Sequence, residues 1–252
     1  MYLSEEKNMK QTDELHMISG FDLLQMEFPQ HQFCVQDILP KGLNVLFSEN
    51  VNKAKSLAMD LALRVSEGQN LWGMEVQQGA VLYMVHKDTL AVTRNRLISM
   101  TKRVPDTLYI GVMTESTMEL VLSAVPEFME SNPELSLVVV ELEIPVAYMA
   151  QTLYVPGGLL LQYTRLKELA EEKNITILVV QWDVQYPTSL SDYGENGYAT
   201  ISEEVDSYYE LDCTSHRENE EKLKRTSRSY GNIQWNIEYS AENRRWNEKS
   251  KK

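Results

Sequence analysis

The stretch Leu43-Asn-Val-Leu-Phe-Ser-Glu-Asn-Val-Asn-Lys-Ala-Lys-Ser56 carries the reading of the fold. It opens on a short apolar run, Leu43 to Phe47, bounded before by Gly42. It ends where apolar residues begin to recur at Ala54, Leu57, Ala58, Leu61, Ala62 and Val65. Steps of three and four predict an amphipathic helix, and Gly68 is its stop signal. The local order is strand, loop, helix, with Lys55 and Ser56 at the helix start.

The same alternation continues outward. Ala80 to Val85, Thr107 to Val112, Leu135 to Val140 and Ile175 to Val180 are apolar runs of strand length. Between them lie helical periods over Thr89 to Arg103, with Arg94, Arg96 and Lys102 toward solvent, Thr117 to Met129, and Leu159 to Glu172. Pro126 is expected to bend or end the second of these. Near-continuous apolar strands separated by amphipathic helices predict an α/β fold: a mostly parallel central sheet with helices on both faces. Tyr186 to Thr200 reads as a long loop. Ser207 to Leu211, Lys222 to Ser229 and Ile233 to Tyr239 alternate in polarity and suit antiparallel strands added at the C-terminal edge. The expected organisation is a polar segment over 1–19, one domain over 20–240, and a charged tail over 241–252.

Composition narrows the classes. The chain has 252 residues, 43% hydrophobic and 24% charged, which is that of a soluble globular protein. No apolar run reaches eighteen residues and the N-terminus has no secretory core, so no membrane partner is expected. Cys34 and Cys213 match no metal or redox spacing and read as reduced thiols in a cytoplasmic protein. The four histidines form no metal spacing either. A formal net charge of −13 disfavours DNA as a partner, because nucleic-acid binding draws on a basic face.

The loop between strand and helix is where chemistry would sit. A phosphate-binding loop reads G-x-x-x-x-G-K-[ST], and its glycines let backbone N–H groups curl around phosphate oxygens. Lys55 and Ser56 fill the last two positions, at a helix N-terminus that favours an anion. Glu49 and Ala54 stand where the glycines belong. A left-handed conformation at Ala54 would cost roughly 1–2 kcal/mol, and Glu49 would set a carboxylate beside phosphate.

Several stretches in order resemble the RepA-type hexameric helicase ATPases of the RecA-like P-loop fold, also described as AAA family ATPases of plasmids and mobile elements. They are Leu39 to Leu46, Leu57 to Leu63 with Gly68 and Leu71-Trp-Gly73, Gln78 to Tyr83, Leu137 to Glu141, Leu166 to Ala170 and Ile177 to Val180. The resemblance spans about Gly20 to Trp246. It implies a Mg-ATP site between neighbouring subunits of a ring. Lys55 matches the phosphate-binding lysine, Ser56 the magnesium-ligating hydroxyl, and Glu141 the second metal-site acid, where the family has Asp. Asp88 matches one member of the family's Glu-Asp pair, and Lys87 replaces the catalytic carboxylate. Gln181 and Trp182 replace two histidines that sense the γ-phosphate. Arg228 matches the trans-acting arginine finger, and Asp206 matches an Asp of a structural turn. The loop after Trp182 carries Asp183, Asp192, Glu195, Glu203 and Glu204, which would repel a phosphate backbone.

Three readings follow. One is a pseudo-ATPase that serves as a scaffold or regulatory subunit in DNA replication or maintenance of a mobile element, assembling with itself or with a homologous ATPase. Another is an active ATP-dependent helicase-type motor that uses Lys55, Ser56 and Glu141 in a divergent loop. The third is a regulator that binds some other anion. Changes at Glu49, Ala54, Lys87 and Trp182 all weaken one reaction, which favours the first.

Overall fold

Gly42–Ser48 forms a strand in which only Phe47 is not fully buried, and it lies inside a large sheet. The computed structural model describes residues 18–26, 32–86, 89–114, 117–143, 159–182, 205–213, 221–240, 242 and 244–249. In chain order the elements are α1 (Gly20–Gln25), β1 (Phe33–Val35), β2 (Leu39–Pro40), β3 (Gly42–Ser48), α2 (Val51–Glu67), β4 (Ala80–His86), α3 (Leu90–Met100), β5 (Leu108–Met113), α4 (Met118–Ser131), β6 (Leu135–Glu143), α5 (Leu159–Lys173), β7 (Thr176–Trp182), β8 (Ser207–Asp212), β9 (Glu221–Thr226), β10 (Ile233–Tyr239) and β11 (Trp246–Glu248). The chain divides into two units, 1–31 and 32–252. Every element except α1 belongs to the second unit.

The main sheet has nine strands in the order β11-β10-β9-β8-β3-β7-β6-β4-β5. The six from β8 to β5 run parallel, and β9, β10 and β11 extend the sheet antiparallel at one edge. This is a mixed α/β fold with a large, mostly parallel sheet flanked by helices, and the antiparallel extension is where the sequence placed it. One face packs under α2, with Leu57, Leu61, Val81, Val139, Leu178 and Val180 in its core. The other face packs on α4 and α5, with Val121, Val125, Tyr163, Leu166, Val138 and Val179. No helix among the described residues is long and apolar enough to cross a membrane.

Four local expectations need correction. The helix after β3 starts at Val51, so what was read as loop is its first turn. The helix read as ending at Arg103 stops at Met100, and its Arg96 is turned inward. Pro126 does not end α4, which continues to Ser131. Val121 and Val125 are fully buried and Phe128 meets Tyr109 edge-on, so packing outweighs one missing backbone bond. The supposed charged tail contains β11, whose Trp246 is fully buried. The loop expected over Tyr186 to Thr200 lies outside the described residues.

Asp206 fixes how β3 enters the sheet. Its carboxylate accepts from the N–H of Leu43 at 2.8 Å, and its own N–H donates to the Leu43 carbonyl at 2.9 Å. Gly42 has φ +105, and a Cβ there would collide with the Asp206 side chain. The structural role expected of Asp206 is thus the one it fills.

Candidate functional site

The turn from β3 into α2 contains only Glu49 and Asn50. Ser48 Oγ accepts from the N–H of Asn50 at 3.1 Å and donates to the Leu211 carbonyl at 2.9 Å. Asn50 is the N-cap: its side chain accepts from the Lys53 N–H at 3.2 Å. The Ala54 N–H then donates to the Asn50 carbonyl at 3.0 Å. An amide that a phosphate loop would aim at its ligand is spent on the first helical bond. Ala54 is buried in helical conformation, and no residue from 49 to 56 has positive φ. The strain expected at Ala54 is absent because the loop that would demand it does not form. Glu49 is exposed within the turn.

Lys55 lies one turn into the helix and points at the sheet. Its Nζ is 2.8 Å from Oε2 of Glu141, with side-chain exposures of 9% and 2%. Two other side chains converge there. Tyr83 from β4 donates its hydroxyl to Oε1 of Glu141 at 2.8 Å. The same hydroxyl is 3.4 Å from the Lys55 carbonyl. Arg96 from α3 sets Nη1 3.6 Å from Oε1 of Glu141. Burial first, and then the Glu141 charge, raise the Tyr83 phenol well above its ordinary value, so it remains a donor. One carboxylate is thus surrounded by two cations and a phenol.

The other predicted residues are dispersed. Ser56 Oγ accepts from the indole Nε1 of Trp246 at 3.3 Å. Gln181 is buried on the opposite side of the sheet from Glu141, where its amide bonds to the Tyr163 hydroxyl of α5. The register shows why: Glu141 pairs with Val180, and Gln181 with Leu142, so their side chains point to opposite faces. Arg228 is exposed in the turn after β9. That turn lies at the end where the parallel strands begin, because Thr226 pairs with Tyr208 at the start of β8. Lys87, Asp88 and the acidic segment 183–204 lie outside the described residues. Among the described residues of the predicted set, Lys55 and Glu141 are the pair brought together.

As arranged, these side chains do not fit magnesium. Glu141 is already neutralised by Lys55 and Arg96, and Ser56 takes up an indole N–H. No group of three or more acidic, histidine or cysteine side chains suited to a metal is found among the described residues. Sequence reasoning missed Tyr83 and Arg96. Tyr83 is hidden in an apolar run, and Arg96 was assigned to solvent although it falls one turn after the buried Thr93.

A second polar cluster ties the last strand to α2. Asp60 is fully buried and accepts from Arg64 Nε at 3.1 Å, Arg245 Nη1 at 2.7 Å and the Trp246 N–H at 2.8 Å. Near the helix start, Lys53 pairs with the buried Glu221 of β9. Both contacts hold α2 against the antiparallel extension. No protein-family model matches the chain, and neither does any curated protein.

Proposed function

We propose that the chain is a pseudo-ATPase of the RecA-like, RepA-helicase type that acts as a scaffold or regulatory subunit in replication or maintenance of a mobile element. The observation that carries this reading is the ion pair of Lys55 with Glu141. The lysine meant for phosphate and the acid meant for magnesium neutralise each other, beneath a helix whose first turn occupies the phosphate loop. A central parallel strand leading into a helix with a Lys-Ser pair, and a carboxylate ending a strand two positions away, support descent from an ATP site. The buried pair and the missing nest support its loss.

Isothermal calorimetry with Mg-ATP, paired with a phosphate-release assay, tests the proposal. Phosphate release at rates indistinguishable from buffer is expected. Turnover that disappears in Lys55→Ala would defeat it.

A further inference from the structure

The sheet ends differently at its two edges. β11 is three residues long, with Glu248 and then Lys249 at its end. Short, charged edges resist pairing with other chains. β5 is the other edge, with six residues, Leu108-Tyr-Ile-Gly-Val-Met113, and neither a charge nor a proline among them. The Val81 N–H donates to the Thr107 carbonyl at 2.8 Å, which turns odd-numbered backbone groups toward β4. By strand alternation, the N–H and C=O groups of Ile110 and Val112 face outward.

Two further features lie in the segment that leads from α3 into this edge. Among the described residues of 32–252, seven large apolar side chains are exposed, and five of them lie between Leu90 and Val112: Leu90, Val92, Ile98, Val104 and Val112. All five fall in the stretch of chain from the start of α3 to β5. The same region is basic in an acidic chain. Thr89 to Thr114 carries Arg94, Arg96, Lys102 and Arg103 against the single acid Asp106, whereas the whole chain has net charge −13. Arg94, Lys102 and Arg103 are exposed.

We infer that β5 and α3 form a docking surface for an extended acidic segment of a partner protein, which adds to β5 as a further strand. Backbone groups of Ile110 and Val112 supply register. Alternate apolar side chains of the segment cover Val112 and its neighbours, and its carboxylates meet Arg94 and Arg103. A second copy paired edge to edge would set α3 beside α3 and bring like charges together. A nucleic acid would leave the exposed valines and isoleucine uncovered. Nothing in this inference depends on a nucleotide.

The test uses the full chain and a fluorescent peptide of about ten residues that alternates Glu with Val. Saturable binding is expected, with slowed hydrogen exchange at the Ile110 and Val112 amides. Val112→Pro removes an outward donor while leaving the β4 ladder intact, since proline is tolerated on an edge. It should weaken binding at least about tenfold, with thermal unfolding of the protein unchanged. Arg94→Glu with Arg103→Glu, a second and independent variant, should weaken it by about the same factor. No binding at millimolar peptide, equal binding of a Lys-for-Glu peptide, or binding indifferent to Val112→Pro would overturn the inference. So would self-association of the free chain that Val112→Pro abolishes, or duplex DNA that competes fully with the peptide.

Discussion

Lys55 and Glu141 face each other across 2.8 Å, and neither faces solvent. They come from the first turns of α2 and the end of β6, with β7 lying between β3 and β6 in the sheet. The pair is therefore a tertiary bond that draws the start of α2 onto the sheet. Tyr83 and Arg96 extend it to β4 and α3.

Removing the two partners should have unequal consequences. Glu141→Leu leaves Lys55 and Arg96 buried without their carboxylate, and is expected to cost about 3–5 kcal/mol. Lys55→Met leaves Glu141 with Arg96 and Tyr83, and is expected to cost about 1–3 kcal/mol. The double variant should be more stable than Glu141→Leu alone. Urea unfolding of the three variants measures this, and strictly additive losses would contradict the pairing.

The C-terminal strand should behave as part of the core. Trp246→Ala is expected to cost about 3–5 kcal/mol, as a large buried side chain removed from a packed site. Asp60→Ala should cost a similar amount, because it strips the buried Trp246 amide and Arg64 Nε of their acceptor and leaves the Arg245 guanidinium with Glu67. Chemical denaturation of both variants, and of a chain ending at Ser240, checks this. A truncated chain as stable as the full one would return these residues to the status of a tail.

The alternation of apolar runs with helical periods was enough to read the parallel sheet, because strands buried on both faces keep their polar residues few and mostly near the ends. What escaped the sequence was decided by contacts between distant segments. Trp246 sits among Asn, Glu, Lys and Arg, and it is buried by distant partners, Asp60, Ser56 and Trp72, all more than a hundred and fifty residues earlier. Arg96 looks like any helical surface arginine until Glu141 is placed beneath it. The resemblance singled out Lys55 and Glu141 separately, one for phosphate and one for magnesium, and gave no sign that they would pair with each other. It could not show that Asn50 caps the helix four residues early, since Asn is as natural in a loop as at a cap.

Gln181 should be silent toward nucleotide. It lies on the far side of the sheet from Lys55 and bonds to Tyr163. Gln181→Leu should therefore leave the Mg-ATP calorimetric trace identical to that of the unaltered chain. It should cost about 1–3 kcal/mol, because it strands a buried phenol without its partner. Gln181→Leu combined with Tyr163→Phe should recover much of that loss. A changed trace in Gln181→Leu would place the residue at the nucleotide site after all.

Cys34 supplies a pH dependence with a definite sign. It is buried beside Ser136, and burial pushes its thiol up from 9.0 to about 11. The folded chain therefore keeps this proton to higher pH than the unfolded chain does. Between these two values the unfolded state holds fewer protons, so stability falls as pH rises. The contribution is whole below pH 9 and is lost as pH passes through 11, about 3 kcal/mol in all at most. Urea unfolding at pH 8 and at pH 10.5 should show the native chain losing about 2 kcal/mol more than Cys34→Ala over that interval. Equal losses would mean that the thiol ionises alike in both states, and so that Cys34 is open to water in the folded chain.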